Sequence, residues 1–502
     1  MSAAAPWVLL VAAAAAAFRW LRVGQREHYI PGSVGRFEWR WLWSSRLNLG
    51  LGVATTGAVV ATLWWPYASL LAAAGLAAWP VGLGLRGRTA RLAWTPRLRR
   101  LAGASAVPIA AAGGIGFALG SFTAGAVAAA LAAPQAVDLG LAATAPLERR
   151  LSRGFVERAA RRLRAAAPTV VAITGSFGKT STKEYARHLV TGTLHVVASP
   201  ASFNNRLGLA RAINEGLDPG VQVLIAEMGT FGPGEIAELC RWIPPSISVI
   251  TAVGPVHLER FGSIEAIARA KAEILEGAGV VVANWDEPLV RQAVEGRPGA
   301  RVVRCSAVSG DAEVSVLSDG GSLVVRLGSE ELGRLPASGV FPMNVACAVG
   351  VAHALGVPPE RIGERLGSLP RPQHRGVVGR TDAGVVVIDD TYNSNPLGAR
   401  AAVERLAAEA PGRTVLVTPG MVELGRRQAG ENRDLAAFAA TRLSDIVIVG
   451  RTNRRALLRG ARGGTARVRA VARRPEAVAW VAANLGEGDG VLYENDLPDH
   501  YP

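Results

Sequence analysis

Hydrophobic positions follow two different patterns along the chain. Up to about residue 150 they form long, nearly uncharged runs: Ala3–Leu21, Leu47–Trp65, Ala68–Leu85, Leu101–Gly120 and roughly Ser121–Ala143. Most approach the ~20 residues a helix needs to cross a bilayer. The last run contains Pro134 and Asp138, which suits the membrane interface as well as a crossing. From Thr169 the pattern shortens. Apolar β-rich runs (Val221–Glu227, Ile247–Val253, Val280–Asn284) alternate with helical stretches, the βαβ signature of a mostly parallel sheet. Residues Ala312–Leu335 alternate over short runs with tight Gly turns, which predicts a small antiparallel addition. Leu369–Gly376 is a Pro-bearing linker. Beyond it, Val385–Asp389, Thr414–Thr418 and Asp445–Val449 read as strands of a Rossmann-like domain. The predicted fold class is therefore α/β preceded by transmembrane helices: a membrane segment over 1–148, a central mostly parallel domain over 149–368 and a Rossmann-like C-terminal domain over 369–502.

Charge sharpens the membrane reading. The net charge of +15 would suit nucleic acid, but much of it lies in three arginine blocks beside apolar runs. Six Arg lie between Arg19 and Arg46, six between Arg86 and Arg100, and seven between Arg149 and Arg164. Arginine flanking apolar segments is the positive-inside pattern, and no aromatic-interleaved basic groove argues for nucleic acid. With every basic block inside, the chain crosses five times and everything after Arg149 is cytoplasmic. "WWPY" (Trp64–Tyr67) reads as an interfacial aromatic belt between two spans. Cys240, Cys305 and Cys347 lie far apart, without metal-ligand spacing or a disulfide framework.

The first candidate chemistry is "TVVAITGSFGKTSTKEYARHLV" (Thr169–Val190). An apolar strand passes through Gly175-Ser176-Phe177-Gly178-Lys179-Thr180 into a helical pattern, the context a phosphate-binding loop requires. Backbone amides at the helix start would face phosphate oxygens, Lys179 would reach the β/γ-phosphates, and the Thr180 hydroxyl would bind Mg²⁺. Lys183, one turn on, reads as a solvated first-turn residue.

Further motifs follow in order: "SFNNRLGLA" (Ser202–Ala210), "AEMGTFGPGEI" (Ala226–Ile236), "VHLERFGS" (Val256–Ser263), "AKAEIL" (Ala270–Leu275) and "FPMNVACAVGVA" (Phe341–Ala352). "GR" (Gly379–Arg380), "DDTYNSNP" (Asp389–Pro396) and "GMVELG" (Gly420–Gly425) complete the series. From about Thr169 to about Asp489 the chain resembles the Mur ligases, most closely the MurF branch, which adds the final dipeptide in peptidoglycan precursor synthesis. Two stretches depart from that pattern. The apolar segment stands where the soluble uridine-nucleotide-binding domain is expected, and the C-terminal motifs give way to "LYENDLPDHYP" (Leu492–Pro502).

The resemblance implies ATP-dependent amide formation. A carboxylate takes the γ-phosphoryl group to become an acyl phosphate, an amine attacks, and phosphate leaves. It assigns Mg²⁺ (two ions) to Thr180, Glu227, His257 and Lys271, with Asn204 and Asn205 near phosphate or acyl oxygens. As ordinary residues, the two asparagines would be a turn signal. It places Asn344 at adenine, where the residue could equally cap a helix, and Arg380 at nucleotide phosphate or ribose. Asp389, Asp390, Tyr392, Asn393 and Asn395 would form a loop over ATP and substrate.

It also implies a CO₂-derived carbamate on Lys271. Only three of the 55 Lys+Arg residues are lysine, namely Lys179, Lys183 and Lys271. Arginine stays protonated at physiological pH, whereas a buried lysine can lose its proton and react. A composition that replaces lysine by arginine should spare lysine where the amine itself is required.

The expected partners are an amino acid or dipeptide (D-Ala-D-Ala by family default), a UDP-linked or lipid-linked muropeptide carboxylate, membrane lipid and other cell-wall enzymes. A poly-amino-acid synthetase and a non-catalytic ATP-binding membrane scaffold are the alternative readings. A transport ATPase is disfavoured because the ligase motifs continue far past the phosphate loop.

Overall fold

The computed structural model describes residues 5–44, 46–62, 64–65, 67–79, 81, 83, 92–119, 122–200, 203–297, 299–337, 340–370, 377–391, 394–497 and 501. The chain divides into two compact units.

The first unit comprises Met1–Arg153, Gly450–Thr452 and Leu497–Pro502. Its helices are α1 (Ala5–Arg26), α2 (Ser33–Ser44), α3 (Arg46–Ala61), α4 (Ala68–Ala78), α5 (Pro96–Leu119) and the first part of α6 (Phe122–Ala166). Among the described residues, two helices are long and apolar enough to cross a membrane, Pro96–Ala118 and Ala124–Ala166. They fall on two of the predicted runs, Leu101–Gly120 and Ser121–Ala143. Ala68–Leu85 yields only the 11-residue α4, which at 1.5 Å per residue is about half a bilayer core, and Leu47–Trp65 yields the 16-residue α3. Asp138, the charge inside the fifth apolar run, accepts bonds from Val34 N (3.1 Å) and Gly35 N (2.7 Å). It satisfies amides at the start of α2 that the helix itself leaves unpaired.

The second unit, Gly154–Val449 and Asn453–Asp496, contains two sheets. The first has nine strands in the order β2-β3-β1-β4-β5-β6-β7-β8-β9. These are β1 (Thr169–Thr174), β2 (Val196–Ala198), β3 (Val223–Glu227), β4 (Ile247–Ile250), β5 (Val280–Asn284), β6 (Arg301–Ser306), β7 (Val314–Asp319), β8 (Ser322–Leu327) and β9 (Glu330–Pro336). Pairing is parallel from β2 through β7 and antiparallel from β7 to β9, so the alternating segment extends the main sheet as a meander.

The connecting helices are α7 (Lys179–Val190), α8 (Arg206–Gly216), α9 (Glu235–Trp242), α10 (Leu258–Phe261), α11 (Ile264–Ala272), α12 (Pro288–Glu295), α13 (Pro342–Ala354) and α14 (Pro359–Leu366). Both faces of the parallel strands are covered, which explains their continuous apolar runs. Helix α13 is buried almost all round, from Asn344 to Ala352, so its sequence shows little amphipathic alternation.

The second sheet runs β10-β11-β15-β12-β13-β14. Its strands are β10 (Val377–Arg380), β11 (Val386–Asp390), β12 (Thr414–Thr418), β13 (Asp445–Val449), β14 (Arg467–Val471) and β15 (Gly490–Glu494). All pair parallel except the β10–β11 hairpin at the edge. Helices α15 (Pro396–Glu409), α16 (Gln428–Ala440) and α17 (Arg454–Ala461) pack into one core on this sheet, and α18 (Arg474–Asn484) into another. In the Pro-bearing linker, residues 371–376 lie outside the described residues.

Helix α17 approaches α16 closely because residue 460 has no side chain. A Cβ there would lie 2.0 Å from the Arg433 carbonyl oxygen, whereas one at Gly463 would meet nothing within 4 Å. Backbone cannot move aside as a side-chain tip can. Gly460→Ala should therefore cost about 1–3 kcal/mol of stability, and Gly463→Ala should be neutral, measured by denaturant unfolding.

Candidate functional site

The phosphate loop forms where β1 ends. Gly178 adopts φ +85°, and a Cβ there would lie 2.3 Å from Asn344 Oδ1. Glycine is thus required twice, for its backbone angle and for the asparagine packed on it. A Cβ at Gly175 would meet Thr251 Oγ1 at 2.0 Å. Ser176 Oγ donates to Gly254 O (3.0 Å) and accepts from Gly254 N (2.9 Å), while Thr251 Oγ1 donates to Phe177 O (2.6 Å). The loop is therefore held rigidly against the exit of β4. Gly178, the residue before α7, supplies no side-chain cap, so the first amides of that 12-residue helix are not satisfied by one. Lys179 Nζ donates across the loop to Gly175 O at 2.7 Å. Asn344 belongs to the first turn of α13, whose N-cap is Phe341. Its side chain meets the phosphate loop, and the helix-cap reading is corrected.

Glu227, the last residue of β3, is 2% exposed. Its two carboxylate oxygens accept from Thr180 Oγ1 at 2.9 Å and Asn204 Nδ2 at 3.2 Å. The backbone N of Glu227 donates to Ser199 Oγ at 3.1 Å. Lys183 completes this cluster. It is fully buried, not solvated as its sequence position suggested. Its Nζ donates to Ser199 O (2.7 Å) and lies 3.6 Å from Glu227 Oε2 and 3.6 Å from Glu184 Oε1. Asn205 turns away from this group and caps α8, accepting from Gly208 N at 2.9 Å.

Lys271 lies in α11 and is 5% exposed. Burial, with a smaller contribution from the charge of Lys179, holds its amine well below the ordinary lysine range. No hydrogen bond or ion pair joins it to a described residue. A primary amine reacts with CO₂ in its uncharged form, which burial favours. Thr180 and Glu227 supply the oxygen donors a hard divalent cation prefers. Among the described residues no group of three His, Cys, Asp or Glu forms a ready-made metal cage. The donor set therefore fits a cation that shares its ligands with a phosphate substrate.

His257 adopts φ +55° and pairs through Nδ1 with Glu423, in the loop after β12. Arg260 lies 4.0 Å from the same carboxylate, and Glu259 N donates to Glu423 O at 3.3 Å. The two sheets of the second unit thus meet at "VHLERFGS" and "GMVELG". The His257 ring also contacts Phe231 edge-on at 5.0 Å.

The remaining candidates lie in the C-terminal sheet. Asp389 accepts from Thr391 N and Oγ1, at 3.2 and 2.6 Å. Asp390 ends β11 in register with Glu494. Asn395 caps α15 by accepting from Gly398 N at 2.9 Å. Tyr392 and Asn393 lie outside the described residues. Arg380 is exposed and pairs in register with Val386, at the opposite end of β11 from Asp389. Glu494 was missed by sequence reasoning. It is completely buried, and both Ser394 Oγ and Thr418 Oγ1 donate to it. The signal was present: "GVLYE" ends an apolar strand in a carboxylate, as "VLIAE" does at Glu227.

Residues 173–352 match the Mur ligase middle domain, and residues 374–493 match the Mur ligase glutamate ligase domain. The chain belongs to the Mur ligase family. It is 36% identical over 304 residues to the UDP-N-acetylmuramoyl-tripeptide–D-alanyl-D-alanine ligase of Mycobacterium tuberculosis, covering 56% of this chain and 58% of the relative. The Bacillus subtilis ligase of the same name is 32% identical over 262 residues, covering 51% and 57%. Among solved structures, the MurF ligase of Thermotoga maritima in complex with ADP superposes with a TM-score of 0.60 at 26% identity, covering 68% of this chain and 80% of that one. This Mur ligase therefore spans under three-fifths of the length of these curated relatives.

Burial pushes the Glu494 carboxyl up to about 7 from 4.5, with Asp390 adding to the rise and the two hydroxyl bonds opposing it. The folded state therefore favours the protonated acid. Stability on this account falls as pH rises from about 4.5 through about 7, by roughly 3 kcal/mol in all. Glu494→Gln removes the charge and keeps an acceptor. It should unfold at higher denaturant than the parent near pH 8 and match it near pH 5.

Proposed function

We propose that this Mur ligase is an ATP-dependent amide ligase acting through an acyl phosphate in peptidoglycan precursor synthesis. The observation that carries the reading is the convergence around one strand end. Thr180 and Asn204 bond the buried Glu227 carboxylate, Lys179 bridges the phosphate loop, and the buried Lys271 amine lies near enough to feel the charge of Lys179.

In this reading the α7 amides and Lys179 bind the β/γ-phosphates of ATP. Thr180 and Glu227 would hold Mg²⁺, which would screen the negative charge between phosphate and the incoming carboxylate. The carboxylate oxygen attacks the γ-phosphorus and ADP leaves. The amine nitrogen then attacks the acyl carbon, and inorganic phosphate departs. Lys271 would provide the nitrogen that takes up CO₂. The resulting carbamate would add an anionic oxygen ligand where the bare amine has none. Asn204, anchored on Glu227, keeps its remaining amide hydrogen and carbonyl near the transferring groups. His257 is engaged with Glu423, so it contributes to the second ion only if that pair opens.

The acceptor is proposed as a muropeptide tripeptide and the amine as D-Ala-D-Ala, the pair named for the relatives. The two apolar helices Pro96–Ala118 and Ala124–Ala166 favour a membrane location with the ligase domains in the cytoplasm. They make a lipid-linked muropeptide a second candidate acceptor. Mass spectrometry of products from ATP, each acceptor and D-Ala-D-Ala tests this. Amide product and stoichiometric ADP are expected, and ATP hydrolysis without amide would refute the ligase reading.

Lys271→Arg should lower amide formation by at least about 100-fold while leaving ADP binding near the parent value. Parent activity should rise with added bicarbonate, and that of the variant should not.

A further inference from the structure

All three lysines of the chain lie in or beside one site, yet Lys183 has no part in the chemistry described above. It is the most buried charged side chain of the cluster, at 0% exposure. Its Nζ is held from behind by the Ser199 carbonyl at 2.7 Å, and Ser199 Oγ accepts the backbone amide of Glu227 at 3.1 Å. Residues of β3 and the segment after β2 thus fix the ammonium and the carboxylate relative to each other. The Glu227 carboxylate faces three donors: Thr180 Oγ1, Asn204 Nδ2 and, at 3.6 Å, Lys183 Nζ.

We infer that Lys183 is the built-in counter-ion of Glu227 and makes divalent-cation binding wait for nucleotide. The inference rests on the proposed Mg²⁺–ATP site. A cation approaching this carboxylate alone meets an ammonium that cannot withdraw, because its stem is enclosed and its head is hydrogen-bonded. Repulsion between like charges in a buried site is screened little by solvent. Glu184, also 3.6 Å from Lys183 Nζ, is paired with Arg187 at 3.1 Å, so the ammonium is left to balance Glu227 and the site offers little net negative charge. The phosphates of ATP supply what is missing, so metal and nucleotide enter together. An amine suits this role better than a guanidinium. It is a compact point charge that reaches Ser199 and Glu227 from a fully enclosed position, where a planar fork would need more room. Lys183 is therefore a positioning residue: it touches neither substrate nor reacting atoms, and it sets the order of binding.

The test is Mn²⁺ binding to the full-length protein, followed by electron paramagnetic resonance with and without ADP. The parent should bind Mn²⁺ weakly alone and at least about tenfold more tightly with ADP. Lys183→Met should bind Mn²⁺ without ADP at least about tenfold more tightly than the parent, with most of the ADP dependence gone. Adding Glu227→Gln to that variant should abolish the gain. Leaving Glu227 unpaired could also unfold the protein, so thermal unfolding across Mn²⁺ concentrations is the second readout. Mn²⁺ should raise the melting temperature of Lys183→Met more than that of the parent, because the metal takes over the place of the ammonium. Unchanged nucleotide-free Mn²⁺ affinity in a folded variant, or an unfolded variant that Mn²⁺ fails to rescue, overturns the inference. A parent that binds no ADP at all would instead refute the nucleotide site and the proposed function with it.

Discussion

A carboxylate buried at the end of a central strand is the constraint around which the ligase domain is organised. Glu227 lies where β3 runs out between β1 and β2, with the phosphate loop on one side and the Asn204 loop on the other. A buried charge is tolerated only when it is paired and hydrogen-bonded. Every group that meets this demand is also a group the chemistry uses or depends on. Thr180 and Asn204 bond the carboxylate directly, and Lys183 stands beside it as the nearest cation. Satisfying the carboxylate and shaping the site are the same physical act.

The C-terminal sheet solves a similar problem differently. Glu494 ends β15 as Glu227 ends β3, but among the described residues its partners are the hydroxyls of Ser394 and Thr418 and no cation. Without a counter-charge, burial raises its proton affinity. Its hydroxyl partners stand at the loop after β11 and at the end of β12, and Asn495 Nδ2 donates to Gly420 O at 2.8 Å in the loop that follows β12. That second loop carries Glu423, the partner of His257. One buried acid thus ties down the segment through which the C-terminal sheet reaches the nine-stranded sheet.

The lysine distribution gains its meaning from this arrangement. Where only charge and solubility matter, arginine serves, and the chain uses it almost everywhere. Lys179 reaches back over a tight loop, Lys183 fits inside a closed core, and burial holds the Lys271 amine well below the ordinary lysine range. At the third position a guanidinium would keep its proton at any physiological pH.

Local pattern was enough for much of the molecule. The strand–glycine–helix run, the parallel β/α alternation, the β7–β9 meander and the strands at Thr414–Thr418 and Asp445–Val449 were legible because each depends on residues near in sequence. So were the order of the motifs and the oddity of a rare lysine at 271. Other features needed the fold. Ala68–Leu85 has the hydropathy of a span, but its helix ends at Ala78, since apolar composition does not fix helix length. Lys183 stands on a polar-looking first turn and yet is buried against Ser199 and Glu227, which lie 16 and 44 residues further along the chain. The pairing of His257 with Glu423 joins positions 166 apart. Sequence by itself determined which local elements and which reactive groups this chain possesses, because backbone propensity and side-chain chemistry are local properties. Which of those groups are buried, and which charge faces which, was decided only by tertiary structure, because burial and pairing are properties of neighbours in space.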